Sequence, residues 1–266
     1  MSNEFLAGEI LAHGAYLCGR GTAPDVRRAG AGLAALAARL GLRNEYEAPA
    51  VAERESFAFA RRAGATAGDL ADDGVQGADW LIHVVSRRPQ AVDELCGEID
   101  KALGGVARLR RLRGVAQPRN YTGAAMNNWA YARQVVQQPG GVMPNAFLVP
   151  LSKTAEWWRK DWMERHTYFL PRYDEGGRML SEGHALATEA GIAHLLRRTY
   201  RHPESPAGEG AYDFLTYFEC DDAHVPVFHE VCAALRDVRR NPEWHFVREG
   251  PTWHGRRAAS WEALFA

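Results

Sequence analysis

Several stretches of the chain carry apolar residues in patterns that name their own elements. Val26 to Leu42 is rich in Ala, Leu and Arg, with apolar positions at helical spacing and Gly41 where a helix can stop, which predicts a helix. Asp79 to Val85 has the β-branched and aromatic content of a buried strand. Pro89 then opens a helix to about Leu103, where Gly104 and Gly105 end it. Leu11 to Leu17 reads as a first strand, Ala50 to Ala63 as a further helix without an interrupting turn residue, and Val106 to Ala116 as the strand after the Pro89 helix.

In the second half, Asn145 to Leu151 reads as a strand and Thr154 begins a helix that carries Trp157 and Trp158. Pro171 and Gly176-Gly177 break it, and Arg178 to Ala190 resumes helical spacing up to Gly191. Strands are expected at Ile192 to Tyr200, Tyr212 to Cys220 and about Trp244 to Trp253, with a helix from Val225 to Val238. A short repeat runs through this layout. Asp79-Trp80-Leu81 precedes Asp93-Glu94-Leu95-Cys96 as Asp213-Phe214-Leu215 precedes His229-Glu230-Val231-Cys232. The fold class expected is therefore α+β, with tandem ferredoxin-like repeats whose antiparallel sheets face each other and form a barrel. Residues 1–120 would be the N-terminal unit and 121–266 the C-terminal one. Gln117 to Gly141, with two prolines, paired asparagines and a Pro-Gly-Gly, would be their connection or a loop over a site.

Composition removes several classes. No apolar run approaches the roughly 18 residues of a membrane span, and the first residues lack the basic start and apolar core of a secretory signal, so the expected location is the cytoplasm. A net charge of −1 gives no global field to recruit nucleic acid or anionic lipid. The basic run Arg108, Arg110, Arg111 and Arg113 reads as a solvated edge. Cys18, Cys96, Cys220 and Cys232 are widely spaced without a Cys-x-x-Cys pair, which fits reduced, buried thiols rather than zinc or a disulfide framework. Gly30-Ala31-Gly32 lacks the preceding strand and acidic partner of a dinucleotide site.

Candidate chemistry concentrates between Ser152 and Glu219. One histidine, one arginine and paired tryptophans in one stretch are what a haem pocket needs. Ser152-Lys153-Thr154-Ala155-Glu156-Trp157-Trp158, His184 thirteen positions before Arg197, then Arg197-Arg198-Thr199-Tyr200 and Asp213 to Glu219, together resemble the chlorite dismutase family of haem proteins. The resemblance implies haem b in the C-terminal unit, a homo-oligomeric ring such as a pentamer, and conversion of chlorite, a small-molecule substrate, to chloride and dioxygen. By position it implies His184 as the iron ligand, with His166 in Glu164-Arg165-His166-Thr167 as its rival. Arg197 would be the distal arginine that retains an oxyanion near the iron. Lys153 would pair with a haem propionate, while Trp157 and Trp158 would line the haem. Alternation along a strand allows only one of Arg197 and Arg198 to face the pocket.

Two departures qualify the resemblance. The interval from Trp158 to His184 is long and holds Tyr168 to Asp174, which would cover the haem or reshape access. The carboxylate expected behind the iron-binding histidine falls on Arg240, leaving Glu243 as a substitute. These departures keep open haem chemistry on an organic substrate, as a peroxidase, dehydratase, oxygenase or coproheme decarboxylase. Haem transport or sensing without turnover, with His166 filling a second axial position, is a third class.

Overall fold

The computed structural model describes residues 10–21, 23–47, 55–64, 74–117 and 142–265. In chain order the first half gives β1 (Ala12–Gly21), α1 (Ala23–Ala29), α2 (Leu33–Arg39), β2 (Arg43–Asn44), β3 (Ser56–Arg62), β4 (Trp80–Ser86), α3 (Pro89–Leu103) and β5 (Ala107–Ala116). The second half gives β6 (Asn145–Lys153), α4 (Ala155–Arg159), α5 (Trp162–Thr167), β7 (Arg172–Tyr173), β8 (Met179–Ser181), α6 (Gly183–Ala187) and α7 (Glu189–Ile192). It continues with β9 (Leu196–Arg201), β10 (Phe214–Cys220), α8 (Val225–Arg236), β11 (Val247–Glu249) and β12 (Trp253–Ala258).

Strand order explains how one body is built. The first half pairs as β5-β1-β4-β3 and the second as β9-β10-β6-β12, all antiparallel. Numbered within its own half, each set reads 4-1-3-2 from one end, the order of a ferredoxin-like unit. Neither sheet keeps a free edge, because β5 joins β9 and β3 joins β12, so the eight strands close into a barrel. Closure divides the side chains into an inner set and two outer faces. Helices α1 to α3 cover the outer face of the first half over Leu17, Phe59, Ile82, Leu95 and Trp261. Helix α8 covers part of the second over Phe147, Val149, Phe228 and Val231.

The barrel interior combines an apolar floor of Leu81, Leu112, Leu148, Leu215 and Trp253 with a buried polar layer. The rings of Tyr16, His83 and Tyr217 cluster, with centroids 4.8 Å (Tyr16–His83), 5.5 Å (Tyr16–Tyr217) and 5.8 Å (His83–Tyr217) apart. Arg198 forks onto Glu45 at 2.7 and 2.9 Å, Arg257 pairs with Glu219, and Tyr217 donates to Glu219 at 2.8 Å. Burial holds His83 below its ordinary pKa, with Arg198 and Arg257 adding to the effect against the pull of Glu45. Its neutral ring accepts from Arg198 at Nδ1 (3.2 Å) and meets the Tyr200 hydroxyl at Nε2 (2.8 Å). Gly14 makes room for this layer, since a Cβ there would lie 2.4 Å from the Tyr200 ring.

Four expectations are corrected. The segment expected as a helix at Ala50 to Ala63 is strand β3 over its described part. Phe57 and Phe59 face the outer core while Ala58 and Ala60 face inward, and pairing with β4 and β12 overrides local helix propensity. Val26 to Leu42 breaks at Gly30-Ala31-Gly32 into α1 and α2. Arg178 to Ala190 begins as β8, a hairpin partner of β7, and becomes helical only at Gly183. The strand expected from Trp244 to Trp253 is a 3₁₀ turn at Pro242–Phe246, then β11, then β12 after Pro251.

The connection expected within Gln117 to Gly141 lies, beyond Gln117, outside the described residues. The basic run lies on β5, where Arg111 and Arg113 ion-pair with Asp100 and Asp93 of α3. All four cysteines are buried thiols outside any disulfide.

Candidate functional site

Position along β9 decides which arginine faces where. Arg198 and Tyr200 occupy the barrel interior, so Arg197, Thr199 and Arg201 fall on the outer face. Register carries that face across the sheet: Arg197 lies opposite Phe218 and Phe147, Thr199 opposite Thr216 and Val149, and Arg201 opposite Phe214 and Leu151. At one end Trp158 stacks on Phe214 (6.2 Å, 14°). At the other, Phe218 and Phe147 pack on Phe228 of α8.

Trp158 reaches its place because β6 runs directly into a capped turn. Thr154 accepts from the Trp157 amide at 3.3 Å, which starts α4 and turns the two tryptophans apart. Trp157 is buried with Tyr168, Phe169 and Phe246 in a small core of its own. Trp158 is half-buried, and its Nε1 donates to Asp213 at 3.2 Å. Asp213 also accepts from the Lys153 amide (2.6 Å) and the Ala207 amide (2.6 Å), so one buried carboxylate ties β6, β10 and the intervening loop. Asp213→Ala strands those three donors, and the expected loss is about 3 kcal/mol in urea unfolding. A loss below about 1 kcal/mol would show that the donors find other acceptors.

On the opposite side, the chain from Asp161 to Thr188 presents His184. Asp161 caps α5 through the Glu164 amide (2.8 Å), and Tyr168 and Phe169 then turn inward onto Trp157. Gly183 precedes His184 with φ +65°, and a Cβ there would lie 2.4 Å from the Leu170 carbonyl oxygen. The close approach lets the His184 and Ala185 amides donate to the Tyr168 and Phe169 carbonyls at 3.1 Å each. The helix that bears His184 is five residues long and ends at Thr188, not the unbroken helix the sequence suggests. Helices α6 and α7 pack on α8, which joins the His184 side to the end of the sheet face where Phe218 packs.

Glu243 organises the site. It is buried on the 3₁₀ turn after Asn241, with His184 Nδ1 at 2.8 Å from one carboxylate oxygen and the Lys153 ammonium on the other. Burial alone would raise its pKa, yet the charges and hydrogen bonds of Lys153 and His184 outweigh it and hold the carboxyl at about 2. Burial conversely lowers the Lys153 pKa, which Glu243 restores only in part. Lys153 also lies 4.4 Å over the Trp157 ring. Its ammonium is thus paired with Glu243. The sequence missed this bond because Lys153 and Glu243 lie ninety residues apart. Arg240 has a different task, holding the start of α6 by accepting the Glu182 and Gly183 amides and by pairing with the Glu182 carboxylate.

The structure gives the carboxylate partner to His184, while His166 lies on α5. Glu243 takes Nδ1 of His184, so Nε2 is the ring nitrogen that this bond leaves over. Among the described residues, no group of three or more His, Cys, Asp or Glu is placed to hold a bare metal ion, and no helix is long and apolar enough to cross a membrane.

The architecture defines a class: an α+β protein whose two ferredoxin-like sheets close into one eight-stranded antiparallel barrel, the chlorite dismutase fold. Solved chlorite dismutases from Candidatus Nitrospira defluvii superpose on nearly all of the chain. A doubly substituted variant aligns with a TM-score of 0.68 and 18% identity over 99% of this chain and 98% of its own. The imidazole complex gives 0.64 and 19% over 98% and 97%, and a cyanide complex of a variant gives 0.64 and 19% over 100% and 98%. No protein-family model matches the chain, and no curated protein sequence does.

Proposed function

We propose that this protein is a haem b oxidoreductase of the chlorite dismutase type, with haem between the outer face of β6, β9 and β10 and the α4–α8 side. The observation that carries the reading is the Lys153–Glu243–His184 chain, a histidine oriented by a buried carboxylate, with Arg197 on the outer sheet face. The donor set suits a porphyrin iron, since a single imidazole suffices where the macrocycle supplies the other in-plane nitrogens. Bound haem would supply the redox chemistry that turns chlorite into chloride and dioxygen. Glu243, ionised at ordinary pH, holds His184 in the tautomer with Nδ1 protonated and Nε2 free for iron. Arg197 keeps its charge at any working pH and would offer an oxyanion substrate a planar fork of donors. Trp157, Phe169 and Phe246 exclude water from the His184 side.

The test is oxygen evolution from chlorite by the haem-loaded chain, read beside its absorption spectrum. Arg197→Ala is expected to keep the Soret band and lose at least about 10²-fold in oxygen evolution. An unchanged oxygen yield in that variant removes Arg197 from the reaction. A homo-oligomeric ring belongs to this reading, and light scattering of the loaded protein tests it.

One observation favours a second reading. Trp162, Met163, Tyr173, Met179 and Leu180 are all exposed in the segment between Trp158 and His184. An apolar approach suits an organic substrate better than chlorite, so peroxidase, dehydratase, oxygenase or coproheme decarboxylase chemistry would follow. Haem bound without oxygen release from chlorite decides for it.

A further inference from the structure

The hydroxyl oxygen of Thr199 is buried, yet it meets no hydrogen-bond partner among the described residues. A buried hydroxyl without a partner costs free energy, and a valine of nearly the same shape would serve strand β9 as well. The barrel therefore gives no reason for this side chain. We infer, resting on the haem reading above for where the ligand lies, that the Thr199 hydroxyl is a second donor beside Arg197 and selects an oxyanion with two oxygens.

The sheet itself does not use the hydroxyl. Thr199 shares the outer face of β9 with Arg197, two residues and about 7 Å along the strand. Across the sheet it lies opposite Thr216 of β10, which in turn lies opposite Val149 of β6. Threonines that face each other on neighbouring strands commonly share a hydrogen bond. Thr216 is buried, so such a bond would be dry and strong, but Thr199 Oγ1 does not make it. Around Thr216 the face is apolar, with Phe214 and Phe218 along β10 and Phe147, Val149 and Leu151 along β6. A hydroxyl held beside these side chains has a ligand as its remaining use.

Two donors of different kind recognise different things. A guanidinium fork carries charge and attracts any anion that reaches it. A hydroxyl adds one directed hydrogen bond without charge, and it needs an acceptor atom of its own. Spaced by about 7 Å at the backbone, the two can hold one bent anion, with one oxygen on the fork and the other on Thr199. A halide offers a single atom and satisfies the fork alone. Thr199 thus favours a dioxo anion such as chlorite over chloride, which makes it a specificity-determining residue.

The experiment titrates the haem-loaded full chain with nitrite, a bent dioxo monoanion, and with imidazole, a neutral ligand without oxygen, following the Soret band. Thr199→Val is expected to weaken nitrite binding roughly tenfold and to leave imidazole within about twofold. Thr199→Ser keeps the hydroxyl and should bind nitrite within about threefold of the wild type. Urea unfolding of the full chain without haem supplies a readout independent of any ligand: Thr199→Val should unfold at a higher midpoint, because it removes an unpartnered buried group. A lower midpoint would mean that the hydroxyl is already bonded within the folded chain. Unchanged nitrite affinity in Thr199→Val, or equal weakening in the valine and serine variants, would mean that the hydroxyl does not meet the anion. Each of these results overturns the Thr199 assignment while leaving haem binding intact. A wild-type chain that develops no Soret band with haem overturns the haem reading and the assignment together.

Discussion

Glu243→Ala should cost about 3–5 kcal/mol of folding stability and loosen haem about 10–100-fold. The substitution leaves the Lys153 ammonium buried without its counter-charge and His184 without the acceptor that fixes its ring. Urea unfolding followed by circular dichroism reads the first effect, and haem transfer reads the second. The ion pair also imposes a pH dependence whose sign follows from the depressed pKa. Unfolded, the Glu243 carboxyl titrates near its ordinary 4.5; folded, it titrates at about 2. The unfolded chain therefore takes up the proton first. The stabilisation, about 3 kcal/mol, is complete above pH 4.5 and is lost as the pH falls toward 2. Acid unfolding of Glu243→Ala should be correspondingly less steep through that window, and equal slopes in the two proteins would discard the assignment.

Glu45→Ala is expected to be as severe, at about 3–5 kcal/mol, though it lies inside the barrel and not at the candidate site. Glu45 has no exposed surface, and it receives Arg198 through both nitrogens and Ser56 at 2.6 Å, with Arg257 at 3.6 Å. Removing it leaves Arg198 charged and dry beside Tyr217 and His83. Because desolvation offsets much of the attraction in such a pair, Glu45→Met combined with Arg198→Met should recover much of the loss. Urea midpoints for the single and double variants check this. A double variant as unstable as Glu45→Ala would show that the polar layer specifies barrel packing beyond its charges. Retained haem binding in the double variant would separate the interior layer from the outer face that carries Arg197.

The two carboxylates differ in how far sequence reasoning reaches them. Glu243 stands three residues from the position where the resemblance led to a carboxylate and found Arg240, so it was available as a candidate. The 3₁₀ turn at Pro242–Phe246 decides the matter by swinging Glu243 under His184 while Arg240 stays at the start of α6. Glu45 carried no signal at all. It follows a two-residue strand in a region rich in Ala and Glu, and its partners Ser56, His83, Arg198 and Arg257 come from four other strands.

What the sequence determined by itself is local: the strands at Asn145 to Leu151 and Tyr212 to Cys220, the helix from Pro89 to about Leu103 with proline at its start and glycines at its end, and a helix from Thr154 that carries Trp157 and Trp158. The short repeat shared by its halves, together with the residues that resemble the chlorite dismutase family, was enough for the α+β barrel class and for a haem candidate. Tertiary structure alone decided the rest. Closure through β5–β9 and β3–β12 sets which arginine of the Arg197-Arg198 pair faces outward, because strand parity has no inside until a barrel exists. It turned Ala50 to Ala63 from expected helix into strand β3, since pairing on both sides outweighs propensity. It also gave Lys153 to Glu243, because a buried ammonium requires a counter-charge, and only the folded chain shows which one lies within reach.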